Sequence, residues 1–183
     1  CKKNTLKSLN RTSNPDQLST GDVVIFPGQG SFGPAIDQLS KLNLIDPLKN
    51  YIHKQQPFIG ICLGFQLVFN ASAESPSTEG LNCFEGGFKK FTDPQLSVPH
   101  MGWNKIQASK TNTILDQFNQ ERFYFVHSYY LPSTTYTTHA TTQYGVPFVS
   151  AIANKNQLIT QFHPEKSGEV GLALLDQFFK GLQ

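Results

Sequence analysis

The sequence predicts an α/β domain with a mostly parallel central sheet, flanked by helices and extended by antiparallel strands. Three observations carry this reading. Short apolar runs at 22–30 and 57–61 are each followed by residues at helical spacing. The second half breaks into strand-like runs divided by turns containing Gly, Pro or Asn. Residues 168–182 close the chain on an amphipathic helical pattern. With 183 residues the chain fits one domain with a core of its own.

"DVVIFPGQG" (22–30) reads as a short buried strand of β-branched and aromatic residues, ended by Pro27 and two glycines. From Pro34 to Gln56, Ile36, Leu39, Leu42, Ile45, Leu48 and Ile52 recur at near three-residue steps, which predicts one or two helices interrupted around Pro47. "PFIGI" (57–61) is a second apolar strand, and Leu63, Leu67 and Val68 begin another helical face. "FEGGFKKF", "NKIQA" and "RFYFVHSYY" follow as strands. "YTTHATTQYGVPFVSAIANKNQLITQFHPE" gives three more, paired antiparallel through breaks at Tyr144-Gly145 and at 154–156.

Composition narrows the function. Net charge is only +2, charged residues make up 15%, and the positive charges are scattered, so no basic stripe exists to track nucleic-acid phosphates. No apolar stretch approaches the roughly 20 residues of a bilayer span, and the start has no apolar signal region. A cytoplasmic protein is the expectation, without a nucleic-acid or membrane partner. Cys1, Cys62 and Cys83 lack C-x-x-C spacing, which argues against a disulfide framework and against a cysteine zinc site. No histidine pair has the i, i+4 spacing of a helical metal site, so no metal or cofactor is expected.

In parallel sheets, functional groups gather at the carboxyl ends of strands. Here those ends are Pro27 to Gly30, Cys62, His127 to Tyr129 and His163 to Glu165. Gly60-Ile61-Cys62-Leu63-Gly64 has the G-x-Nuc-x-G form of a nucleophile elbow, and the helix after it favours a thiolate at its N-terminus. Taken alone, Cys62 is equally a small buried hydrophobe. His163 and Glu165, about a hundred residues later, supply a base and a carboxylate to orient it. Backbone N–H groups of Gln29, Gly30 and Leu63 are candidate oxyanion donors. Gly28, Gly30 and Gly33 also fit a dinucleotide fingerprint, but the acidic residue expected about 20 positions on falls as Asp46 on a helix, not at a strand end.

Taken in order, "PGQGSFG", "GICLGFQ", "VPHMGWN", "YFVHSYY" and "FHPEKSG" resemble the class I, triad-type glutamine amidotransferases. "VPHMGWN" makes the match most similar to the glutaminase-subunit group of imidazole glycerol phosphate synthases. The resemblance runs from about Asp22 to the C-terminus. It implies hydrolysis of L-glutamine by Cys62, with His163 as base and Glu165 as its orienter, and ammonia as the useful product. It also implies that Gln66 and Glu74 hold glutamine, and that His127, Ser128 and Tyr129 form a strand edge for its α-carboxylate and amine. His100, Trp103, Tyr124 and Lys166 are similar to residues near the interface with a (β/α)8-barrel cyclase subunit of histidine biosynthesis, which consumes the ammonia.

Family members open with a strand, a glycine-rich turn, a helix and a second strand before the Pro-Gly loop. Here "CKKNTLKSLNRTSNPDQLSTG" stands in that place, with "NTLKSL" read as a remnant of the first helix. The expectation is a single amidotransferase domain over 1–183, N-terminally shortened and without its first strand. A related amidotransferase serving another acceptor, and a partner-binding module without catalysis, are the alternatives.

Overall fold

The computed structural model of the protein describes residues 8–18, 22–109, 112–133 and 139–182. Cys1, residues 4–7 of the expected helix remnant and the start of the Thr-rich run at 136–138 lie outside them. A helical turn, α1 (Pro15–Leu18), precedes β1 (Val24–Gly28). Two helices follow, α2 (Phe32–Lys41) and α3 (Ile45–His53). Their interruption is at Asn43, which takes φ 54, and not at Pro47. Pro47 sits in the first turn of α3, where its missing N–H has no intrahelical partner to lose. β2 (Phe58–Cys62) then runs straight into the short α4 (Leu63–Leu67).

The second half is built of β3 (Ala71–Ser72), β4 (Gly87–Lys90), β5 (His100–Lys105), β6 (Gln107–Ala108), β7 (Arg122–His127), β8 (Tyr129–Pro132), β9 (His139–Tyr144), β10 (Val146–Ala153) and β11 (Gln157–Thr160). Helix α5 (Gly168–Gly181) ends it. The main sheet runs β1-β2-β11-β10-β8-β4-β3, with β9 paired to β10 and β6 to β9, while β5 and β7 form a separate two-stranded ribbon.

Pairing is parallel between β1 and β2, β2 and β11, and β3 and β4. It is antiparallel across β10 with β8, β9 and β11, and between β4 and β8. The parallel part is therefore smaller than the sequence reading expected. β9, β10 and β11 are joined by tight turns, and such connections can only serve antiparallel neighbours. Gly145 takes φ 68 in the first turn. In the second, Asn154 Oδ1 accepts from the N–H groups of Asn156 and Gln157 at 2.9 and 2.8 Å.

β2 is buried on both faces and divides two apolar cores by its period of two. Phe58 packs with Leu48, Ile52 and Phe65 on the α2–α3 side, whereas Ile59 and Ile61 pack with Phe123, Phe162, Leu174 and Phe178 on the α5 side. Each such side chain stabilises the fold by about 1.5–3 kcal/mol on burial. β1 differs from the buried strand expected. Among the described residues it pairs with β2 alone, its burial alternates, and Ile25 is 37% exposed. The carboxyl ends of β1, β2 and β7 and the turn after β11 all open on one cavity.

Candidate active site

Cys62 ends β2 and precedes α4 with φ 54 and ψ −103. A residue with a Cβ holds such a conformation at a cost of about 1–3 kcal/mol, and only where the surroundings enforce it. Close backbone approaches do so here. A Cβ on Gly64 would lie 1.9 Å from the Phe26 carbonyl oxygen, and one on Gly28 would lie 2.7 Å from Leu63 Cβ. Both glycines are therefore required for the elbow to seat against β1. The helix that follows spans five residues, so its dipole is weaker than the sequence reading supposed.

The sulfur has two polar neighbours. Its Sγ is 3.8 Å from the Val126 carbonyl oxygen and 3.9 Å from Gln161 Nε2. Gln66 Nε2 in turn donates to Gln161 Oε1 at 3.1 Å, so the two buried amides form a chain directed at the sulfur. Sequence reasoning missed Gln161. Its signal was the period of two: it stands two residues before His163 in "QFHPE" and is fully buried.

His163 lies across from Cys62 in the turn after β11. Its N–H donates to the Tyr124 carbonyl at 2.9 Å, and Ser167 Oγ donates to the His163 carbonyl at 2.6 Å, which ties the turn to β7. Nδ1 meets Glu165 Oε1 at 2.7 Å. Burial by itself would lower the basicity of this imidazole, but its interactions with Cys62 and Glu165 outweigh burial and carry its pKa from 6.5 up to about 9. Nε2 is buried without a hydrogen bond of standard geometry, so Cys62 acts on it across a looser contact. Burial pushes the Glu165 carboxyl up; its bond to His163 and the charges of His163 and Lys166 overcome that and hold it below the usual range.

The cavity in front of Cys62 measures about 450 Å³. Gly28, Gln29, Gly30 and Leu63 form one wall, Gln66 and Glu74 line the same space, and His127, Ser128 and Tyr129 form the opposite wall with His163 and Lys166. Gly30 takes φ 109, and neither the Gln29 nor the Gly30 amide bonds a backbone carbonyl among the described residues. Glu74 has a second attachment: its Oε2 accepts the Phe32 N–H at 2.8 Å, while Ser75 Oγ accepts from Gly33 at 3.1 Å. The carboxylate thereby anchors the start of α2 and the glycine loop before it. Gly28, Gly30 and Gly33, which suggested a dinucleotide loop, are accounted for by these contacts.

The residues expected near a partner interface divide. Trp103 is 50% exposed beside Tyr124, with ring centroids 6.3 Å apart, and Lys166 is exposed at the cavity rim. His100 is only 3% exposed and points into the aromatic packing, so it belongs to the interior of its strand and not to the outer face. Cys83 is half-buried away from the cavity, and burial pushes its thiol up to about 11. Among the described residues no group of three His, Cys, Asp or Glu side chains is placed to hold a metal, and no helix is long and apolar enough to cross a membrane.

A cysteine at a strained strand-to-helix turn, a histidine bonded to a carboxylate and a glycine loop with available amides can together perform acyl transfer through a thioester. The family model described as "Glutamine amidotransferase class-I" matches residues 3–182. The imidazole glycerol phosphate synthase subunit HisH of Methanothermobacter thermautotrophicus is 42% identical over 167 residues, covering 91% of this chain and 83% of that one. The chloroplastic imidazole glycerol phosphate synthase hisHF of Arabidopsis thaliana is 41% identical over 175 residues, 93% of this chain; the chain spans only 30% of that protein's length. A solved glutamine amidotransferase shares the fold with a TM-score of 0.69 at 12% identity, over 93% of this chain and 84% of that one. The model match over nearly the whole chain and the identity to these relatives establish that the protein belongs to the class I glutamine amidotransferase family.

Proposed function

We propose that residues 1–183 act as one glutaminase domain, hydrolysing L-glutamine to glutamate and ammonia. Its ammonia goes to a (β/α)8 cyclase that makes imidazole glycerol phosphate in histidine biosynthesis. The observation that carries the reading is the Cys62 elbow facing a His163–Glu165 pair bonded at 2.7 Å. The relatives' names, imidazole glycerol phosphate synthase subunit HisH and hisHF, support the pathway.

The Cys62 sulfur attacks the glutamine side-chain amide carbon while its proton passes to His163 Nε2. Negative charge builds on the amide oxygen, where the N–H of Leu63 and those of Gln29 or Gly30 are the available donors. The imidazolium, stabilised by Glu165, then protonates the leaving nitrogen, and ammonia departs from a glutamyl thioester. Water, activated by the now neutral His163, releases glutamate. Ser128 and Tyr129 hold the α-carboxylate and amine, Gln66 and Glu74 line the opposite side, and Trp103, Tyr124 and Lys166 lie toward the cyclase, with His100 buried behind them.

Glutamate release by the full chain, alone and with a histidine-pathway cyclase and its ligand, tests the reading. A strong rise on adding the cyclase is expected. Stimulation only by a different synthase would reassign the acceptor. No release under any condition, and no labelling of Cys62 by a glutamine-like electrophile, would leave a binding module.

A further inference from the structure

The wall formed by His127, Ser128 and Tyr129 is a kink between β7 and β8, and it is held by a histidine pair that takes no part in the chemistry described above. His127 lies directly across the ribbon from His100. His127 Nδ1 is 2.7 Å from the Tyr129 carbonyl oxygen, so the ring spans the kink. Its Nε2 is 3.0 Å from His100 Nδ1, and His100 Nε2 is 3.3 Å from Asn104 Nδ2. Asn104 Nδ2 also reaches the Gln143 carbonyl at 3.0 Å, while Asn104 Oδ1 accepts the Lys105 N–H at 2.8 Å.

Both ends of this chain are fixed by backbone groups whose roles cannot change. A carbonyl only accepts, so His127 Nδ1 carries hydrogen and the neutral ring must accept at Nε2. His100 therefore donates from Nδ1 and accepts at Nε2. At the far end, the Lys105 N–H and the Gln143 carbonyl orient the Asn104 amide so that its NH2 faces His100. The two constraints meet in the middle without conflict, which leaves one neutral arrangement of five hydrogen bonds.

The pair is also caged. His100 stacks between Tyr144 and Phe125, with centroids 3.9 and 5.0 Å away, and His127 lies against Phe91 and Phe148. A proton added to His127 Nε2 would face the Nδ1–H of His100 in an apolar cage, with no place for the charge.

We infer that His100 and Asn104 are positioning residues for the glutamine site: the Tyr129 carbonyl sets the tautomer of His127, and the His100 Nδ1–H, itself set by Asn104, holds His127 Nε2 so that the ring clamps the kink presenting Ser128 and Tyr129 to the α-amino acid end of the substrate. This rests on the glutaminase reading for its kinetic consequence, but not for its structural one. The clamp touches the end of glutamine that does not react, so its loss weakens ground-state and transition-state binding alike.

Two measurements on the full chain test it. Nitrogen-15 NMR of labelled histidine is expected to show both rings neutral and Nδ1-protonated; replacing His100 by Phe, which keeps the stacking, removes the donor to His127 Nε2 and moves that nitrogen's resonance toward that of an imidazole with no hydrogen bond there. In steady-state glutaminase assays with the activating cyclase, His100→Phe raises KM for glutamine about tenfold, the scale of one lost hydrogen bond, with kcat within about twofold. His100→Asn, whose amide can donate from near the Nδ1 position, recovers most of the loss. An Nε2-protonated His127 in the unsubstituted protein, or an unchanged KM in a folded His100→Phe, overturns the inference. Glutaminase silence with the expected tautomers would remove the proposed function and leave the clamp standing.

Discussion

Two histidine sites border one cavity, both well buried, and their basicities move in opposite directions. His163 is carried up to about 9, whereas His127 is pushed down to about 3 and His100 to about 4. Burial depresses all three, so it does not explain the difference. What separates them is the partner: His163 faces a carboxylate and a thiol, which favour the imidazolium, while His127 faces a carbonyl, another histidine and aromatic rings. The first site is arranged to pick up a proton and give it away, and the second to keep its protons in place.

The largest break in that contrast is expected from Cys62→Ala, which removes the group that His163 serves. Glutamate release should fall at least about 10³-fold with the fold intact by circular dichroism. Glu165→Gln follows. Loss of the buried aspartate in a serine-protease triad costs about 10⁴ in kcat, but water can partly stand in here, so a loss of roughly 10–100-fold is expected. The Glu165 side chain is 44% exposed, which is the ground for the smaller figure. The same variant should bring the His163 pKa down from about 9 when titrated by NMR.

Stability against pH sharpens the comparison further. His163 is raised, so its contribution is full below 6.5 and is lost as pH rises through about 9. His100 and His127 are lowered, so the unfolded chain takes up protons that the folded one refuses, and stability falls as pH drops from 6.5 toward about 3. The groups facing this pair are each other, His163 and the stacked Tyr144, none of which supplies a compensating negative charge at acid pH. Melting temperature measured across pH should decline on both sides, and His163→Gln should remove the alkaline part of the decline attributable to the imidazolium while leaving the acid one.

The smallest effect concerns backbone strain. Cys62→Gly should be more stable than Cys62→Ala by about 1 kcal/mol, because glycine takes positive φ freely. Equal melting of the two by urea titration would show that the elbow is relaxed.

Much of the catalytic face could be read from the chain because its residues sit beside punctuation that only a strand-to-helix or strand-to-turn boundary produces. Gly60, Gly64, Pro164 and Gly28 mark where Cys62, His163 and the oxyanion loop must lie. The histidine clamp had no such marker. His100 was expected near the partner interface, because nothing in "VPHMGWN" shows which face of its strand turns inward. Glu74 was expected only to hold glutamine, and its bond to the Phe32 amide, 42 positions away, had no signal in the chain. The break between α2 and α3 was misplaced to Pro47, since a proline in a first turn and one that ends a helix look alike in sequence.

Local sequence was enough to read the alternation of strands and helices, the nucleophile with its base, and the antiparallel turns at Gly145 and 154–156. Each is set by neighbours within a few residues, through glycine, proline and apolar period. Long-range contacts settled which histidine is the more basic, which carboxylate anchors a helix, and that Gln66 holds Gln161 against the Cys62 sulfur. Those outcomes depend on contacts between segments as much as 99 residues apart, and the field at a buried ring is fixed by what folding places against it.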